Sequence, residues 1–85
     1  MKSDYADVAK ENAAKLLAKV AARRLPPPEE RRHIREKVGL TRAEMAEALG
    51  VDAVSILRWE HGAVPRRGHV EAYARLLEEL DRADS

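Results

Sequence analysis

From Ser3 to about Arg24 the apolar residues Tyr5, Val8, Ala9, Ala13, Leu16, Leu17 and Val20 recur at three- and four-residue intervals. This spacing predicts a helix with one apolar stripe, leaving Asp4, Asp7, Lys10, Glu11 and Lys15 on the other side. Ser3 suits the N-cap, Asp4 the positive end of the helix dipole, and Glu11 with Lys15 an i, i+4 ion pair. The stripe has to be covered, by the rest of the chain or by a second chain, because an uncovered helix is marginal in water. Leu25-Pro26-Pro27-Pro28 stops it, since proline lacks the amide hydrogen and pushes its predecessor out of helical geometry.

Pro28, Glu29 and Glu30 fit the first turn of a second helix, which continues through Ile34 and Val38 to Gly39. Thr41-Arg42-Ala43-Glu44 reads as a capping box that starts a third helix, carrying Met45 and Leu49 inward and ending at Gly50. Asp52 caps a fourth helix that runs to about His61, and Gly62 closes it. Ala63 to Gly68 form a loop with Pro65, Arg66 and Arg67. A fifth helix follows, with Val70, Tyr73, Ala74, Leu76, Leu77 and Leu80 at helical spacing, before a polar end from Asp81 to Ser85. The expected architecture is all-α, a compact five-helix domain. Its divisions are an N-terminal helix over 1–25 for packing or dimerisation, a proline-rich joint over 26–30, a helical domain over 31–80 and a tail over 81–85.

Composition narrows the classes. Eighty-five residues suffice for one domain with a modest core, and the chain holds no cysteine, so neither disulfides nor thiolate metal sites reinforce it. No apolar run approaches a membrane span or a secretion signal, which points to a cytoplasmic protein with no membrane role. The net charge of +1 hides an uneven distribution: residues 1–30 hold 6 Lys/Arg and 5 Asp/Glu, residues 31–69 hold 8 and 5, and residues 70–85 hold 2 and 5. A basic middle permits polyanion binding by one face without requiring it.

Two capped helices across a glycine-containing turn have the shape of a helix-turn-helix, from Thr41 to Gly62. Ala46, four residues before Gly50, lets the pair cross closely, while Val51 and Ile56 supply apolar contacts around Asp52. Periodicity alone fits an ordinary helical hairpin equally well. The residues go further: Leu40-Thr41-Arg42-Ala43-Glu44-Met45-Ala46-Glu47-Ala48-Leu49-Gly50-Val51, followed by Ile56-Leu57-Arg58-Trp59-Glu60-His61-Gly62, resembles the Cro/XRE family of helix-turn-helix proteins. With Arg35 before and Pro65 after, the resemblance covers residues 31–80. It implies sequence-specific binding to double-stranded DNA as a homodimer on a two-fold operator, in a nucleoid-associated transcriptional regulator such as a Cro-like repressor. The helix over 3–24 is an addition to that pattern.

Carried over by position, the resemblance makes the segment after Asp52 the recognition helix, with Ala53, Val54, Ser55 and Arg58 facing base edges. Arg58 would bridge guanine O6 and N7, Ser55 would donate or accept, and Ala53 or Val54 would pack on a thymine methyl. Apolar residues at 53 and 54 shift weight from hydrogen-bond readout toward methyl contacts, Arg58 and DNA shape. Arg42, Arg66, Arg67 and His61 are the implied backbone contacts. Arg35 and Glu60 align with a buried charge pair that steadies the recognition helix. Trp59 falls at core spacing from Ile56, and Leu57 projects partly outward.

Nothing points to an enzyme. His33, His61 and His69 are dispersed and lack ligand spacing, no hydroxyl sits in an activating motif, and Glu78-Glu79 reads as a charged helix face. No cofactor is expected. The alternative function is a protein-interaction module, such as an antitoxin, using Tyr5, Val8, Leu16 and Val20 of the N-terminal helix.

Overall fold

The computed structural model describes residues 3–84, with side chains from Ala6 onward; the expected cap at Ser3 and the side chain of Tyr5 fall outside that set. Five helices follow in order: α1 (Ser3–Arg24), α2 (Pro28–Lys37), α3 (Arg42–Leu49), α4 (Ala53–Glu60) and α5 (Arg67–Ala83). The described residues hold no strand, and none of their helices is long and apolar enough to cross a membrane.

Local chemistry sets these bounds. Pro28 opens α2, where its missing amide hydrogen is no loss. Both halves of the capping box at α3 form: the Thr41 hydroxyl oxygen accepts from the Glu44 amide at 3.0 Å, and the Thr41 amide donates to Glu44 Oε1 at 2.9 Å. Gly50 closes α3 at a φ of 71°, a left-handed conformation that strains a side chain. Two ends differ from expectation. The fifth helix begins at Arg67 rather than after Gly68, because Arg66 already supplies the extended residue before the first turn. It also runs on to Ala83, and Lys37 on α2 holds its last turns through Asp81 at 2.7 Å and Asp84 at 3.6 Å.

The core gathers Ile34, Met45, Ala46, Ile56, Trp59, Tyr73 and Leu77 between α2, α3, α4 and α5. Ala46 is buried where α3 and α4 cross, and the Trp59 and Tyr73 rings stack at a tilt with centroids 4.7 Å apart. Tyr73 is fully enclosed, and burial first, then the Glu60 charge, pushes its hydroxyl up to about 12. Its Oη has no hydrogen-bond partner among the described residues.

α1 packs chiefly on α5 through a separate seam of Ala18 and Ala21 against Val70 and Ala74, with Leu25 touching both this seam and the core. Glu11 meets Arg67 and Arg24 shares a groove with Glu78, so the two helices run side by side in the same direction. Of the two covers expected for the apolar stripe, the rest of the chain does not supply one for Val8, Leu16, Leu17 and Val20. All four side chains are exposed, and it is the alanine side of α1 that faces α5. Glu11, paired by spacing with Lys15, instead lies 3.2 Å from Arg67.

Candidate nucleic-acid interface

The turn between α3 and α4 is short and tightly held. Val51 donates its amide to the Ala46 carbonyl at 2.9 Å, closing the end of α3, and Asp52 caps α4. Asp52 Oδ1 accepts from the Ser55 amide at 2.8 Å and from the Ser55 hydroxyl at 2.9 Å. The amide first, then the hydroxyl, holds the Asp52 carboxyl below the usual range. Ser55 is thus half-buried with its proton committed to the cap, leaving its oxygen lone pairs for any further partner.

Helical geometry then sorts α4 into two faces. Ile56, Trp59 and Glu60 turn inward, while Ala53, Val54, Leu57 and Arg58 turn to solvent. His61 caps the end of α4, with Nδ1 2.8 Å from the Leu57 carbonyl, so in this geometry Nδ1 donates and Nε2 is free to face outward.

A polar knot fixes the inner face. Arg35 Nε donates to Glu60 Oε2 at 2.6 Å and Arg35 Nη2 to Glu60 Oε1 at 3.1 Å, the two-pronged geometry of a guanidinium on a carboxylate. Arg42 Nε reaches the same Oε1 at 3.0 Å. Burial works to raise the Glu60 pKa, but the hydrogen bonds and charges of Arg35 and Arg42 outweigh it and hold the carboxyl below the usual range. Arg42 therefore bridges the start of α3 to the end of α4, with its side chain about one-third exposed at 34%.

The cations after α4 divide. Arg66 lines a groove of about 370 Å³ with Ser55, Arg58, Trp59 and His69, beside the outward face of α4. Arg67 turns the other way, to Glu11 on α1. The structure thus brings Ala53, Val54, Arg58 and His61 onto or beside one exposed helix face and sets Arg66 at its edge, whereas Arg67 stands apart.

This arrangement of two short capped helices, a left-handed glycine between them and one solvent-facing helix has a match among known families. A family model described as a helix-turn-helix domain covers residues 29–84. The chain belongs to the helix-turn-helix domain family. Neither a curated protein nor a solved structure matches the chain. The helix-turn-helix domain match takes in α2 to α5 almost whole and leaves α1 outside.

Two residues of the helix-turn-helix domain escaped sequence reasoning. Arg31 is buried, and its guanidinium donates to the carbonyls of Pro26 at 2.8 Å, Trp59 at 2.9 Å and Ala63 at 3.4 Å. It ties the proline joint to the C-terminal end of α4, where carbonyls and the helix dipole favour a cation. Its signal was the helical spacing Arg31, Ile34, Arg35, all three buried on one side of α2. His69 is the other; it sits in the Arg58–Arg66 groove with its ring 6.3 Å from that of Trp59, a placement that only the turn from α4 to α5 decides.

Proposed function

We propose that this helix-turn-helix protein is a sequence-specific, double-stranded-DNA-binding transcriptional regulator, a Cro/XRE-like repressor that acts in the cytoplasm as a homodimer. The observation that carries the reading is the two-sidedness of α4: buried Ile56, Trp59 and Glu60 lock the helix, and Ala53, Val54 and Arg58 stand free for a major groove. Arg58 reads guanine, Ala53 and Val54 contact thymine methyls, and Ser55 contributes as an acceptor because its proton is held by Asp52. Arg66 and His61 position the phosphate backbone, joined by Arg42 where it is exposed and by Arg67 once its solvent-exposed pair with Glu11 opens. Arg35 and Glu60 are structural.

Fluorescence polarisation against a randomised duplex pool and selected sites tests this. Arg58→Ala is expected to lower discrimination by about 1–3 kcal/mol at one base position, and Arg66→Ala to weaken all sites alike while reducing the salt slope by about one. Equal, weak binding to every duplex at physiological salt, unchanged by Arg58→Ala, would contradict specific readout.

A second reading, an antitoxin-like interaction module, draws on the exposed Val8, Leu16, Leu17 and Val20 of α1. Since α1 packs chiefly on α5, that surface lies apart from α3 and α4 and leaves DNA reading intact.

A further inference from the structure

Three arginines meet the end of α4, and their donors are not equally committed. Arg31 is buried with its guanidinium on the carbonyls of Pro26, Trp59 and Ala63. Arg35 is buried with all three nitrogens engaged, Nε and Nη2 on Glu60 and Nη1 on the Leu40 carbonyl at 2.9 Å. Arg42 differs from both. Its side chain is partly exposed, and its Nε donates to Glu60 Oε1 at 3.0 Å while Nη1 and Nη2 donate to no other described residue. One carboxylate for two guanidiniums leaves a positive charge over, and the arginine nearer the surface carries it.

Attachment through Nε has a geometric consequence. A guanidinium is planar, so holding Nε on a carboxylate also sets the directions of the two terminal nitrogens. Those nitrogens form a fork that matches two oxygens of a phosphate. The cost of ordering a long side chain is then met on folding rather than on binding. Arg42 opens α3, and the helix before a reading helix crosses the DNA backbone, so the anion within its reach is a phosphate.

We infer that Glu60 is a positioning residue for DNA: beyond its structural pairing with Arg35, its Oε1 holds Arg42 so that both terminal nitrogens meet one backbone phosphate. This role rests on the DNA binding proposed above and deepens it, because the carboxylate that locks the inner face of α4 also sets the start of α3 on the backbone.

Affinities of the full chain for a duplex selected from a random pool and for an unselected duplex, measured over a range of salt, test this role. Arg42→Lys keeps the charge and leaves the Arg35–Glu60 pair in place, but an ammonium cannot act as a fork fixed by Glu60. It is expected to weaken both duplexes alike by about two- to tenfold, with the salt slope of the wild type. Arg42→Ala is expected to weaken both further and to lower the slope by about one. Glu60→Gln is expected to weaken both duplexes when Arg42 is present and to cost nothing more in the Arg42→Ala background. A carboxylate that served the fold alone would cost the same in either background. Circular dichroism of each variant checks that the helices are kept, and Arg42→Lys decides the point even where Glu60→Gln fails to fold. Wild-type affinity in Arg42→Lys, or an equal loss from Glu60→Gln in both backgrounds, overturns the positioning role while DNA binding stands. A wild-type chain that binds neither duplex contradicts the proposed function itself and this role with it.

Discussion

The helix-turn-helix and α1 are each anchored on α5, but with opposite kinds of side chain. Around α4 the large residues Ile56, Trp59 and Tyr73 are inside and a charged knot of Glu60, Arg35 and Arg42 closes the edge. Along α1 the buried residues are Ala18 and Ala21, and the leucines and valines are outside. Close alanine packing brings two backbones together but removes little apolar area from water, so α1 gains less per residue from its seam. α4 is held rigidly by its own domain, and α1 leaves most of its larger apolar side chains exposed. Such rigidity suits the base readout proposed for α4, which needs side chains fixed within fractions of an ångström.

The largest effect that would break this contrast is expected at the knot. Glu60→Ala strands the Arg35 guanidinium, whose side chain is only 8% exposed, and is expected to cost about 3–5 kcal/mol in denaturant unfolding, with DNA affinity falling indirectly. The pH dependence has a definite sign. Glu60 is held below the ordinary range in the folded chain, so its contribution is complete above that range and is lost as pH falls through it toward the lowered folded value. An acid titration of stability checks this, and Glu60→Gln is expected to flatten that part of the curve.

Next comes the apolar core. Ile56→Ala, at a position with 0% exposure, is expected to cost about 2–5 kcal/mol at any protein concentration. Tyr73→Phe sharpens the picture in the other direction: deleting a buried hydroxyl with no partner among the described residues is expected to raise stability by up to about 1 kcal/mol. With the folded hydroxyl raised from 10.0 to about 12, the native state favours the neutral phenol. That contribution is present below pH 10 and fades as pH rises toward 12, and the Phe variant lacks it.

The smallest effect belongs to α1. Leu16→Ala, at a side chain 63% exposed, is expected to change stability in dilute protein by less than about 0.5 kcal/mol. A loss comparable to that of Ile56→Ala in dilute solution would erase the distinction between the two regions.

How much of this could be read in the sequence follows the same division. The capping box at Thr41 and Glu44, the Asp52 cap and the Gly50 turn were legible because each depends on neighbours a few residues away. The inward spacing of Tyr73, Ala74 and Leu77 on α5 was equally plain. For α1, spacing marked an apolar stripe but could not say which side meets α5, because alanines at 18 and 21 form a second, smaller stripe. Close helix approach selected that one. The Arg42 bridge to Glu60 and the turning of Arg67 toward Glu11 were hidden for a related reason: both partners are distant in the chain, and the docking of whole helices decides which carboxylate an arginine finds. Arg31 lay in a run of charges, where its helical spacing from Ile34 and Arg35 was the one mark of an inward side chain.

The central claim is that α4 reads DNA sequence with a few outward side chains. Selection of bound duplexes from a random pool by the wild-type chain and by Arg58→Ala tests it most directly. The wild type is expected to enrich a palindromic site with half-sites about 34 Å apart or a multiple of that spacing, and the variant to lose preference at one guanine in each half-site while keeping the rest. No enriched sequence, or the same enriched sequence from both proteins, would contradict it.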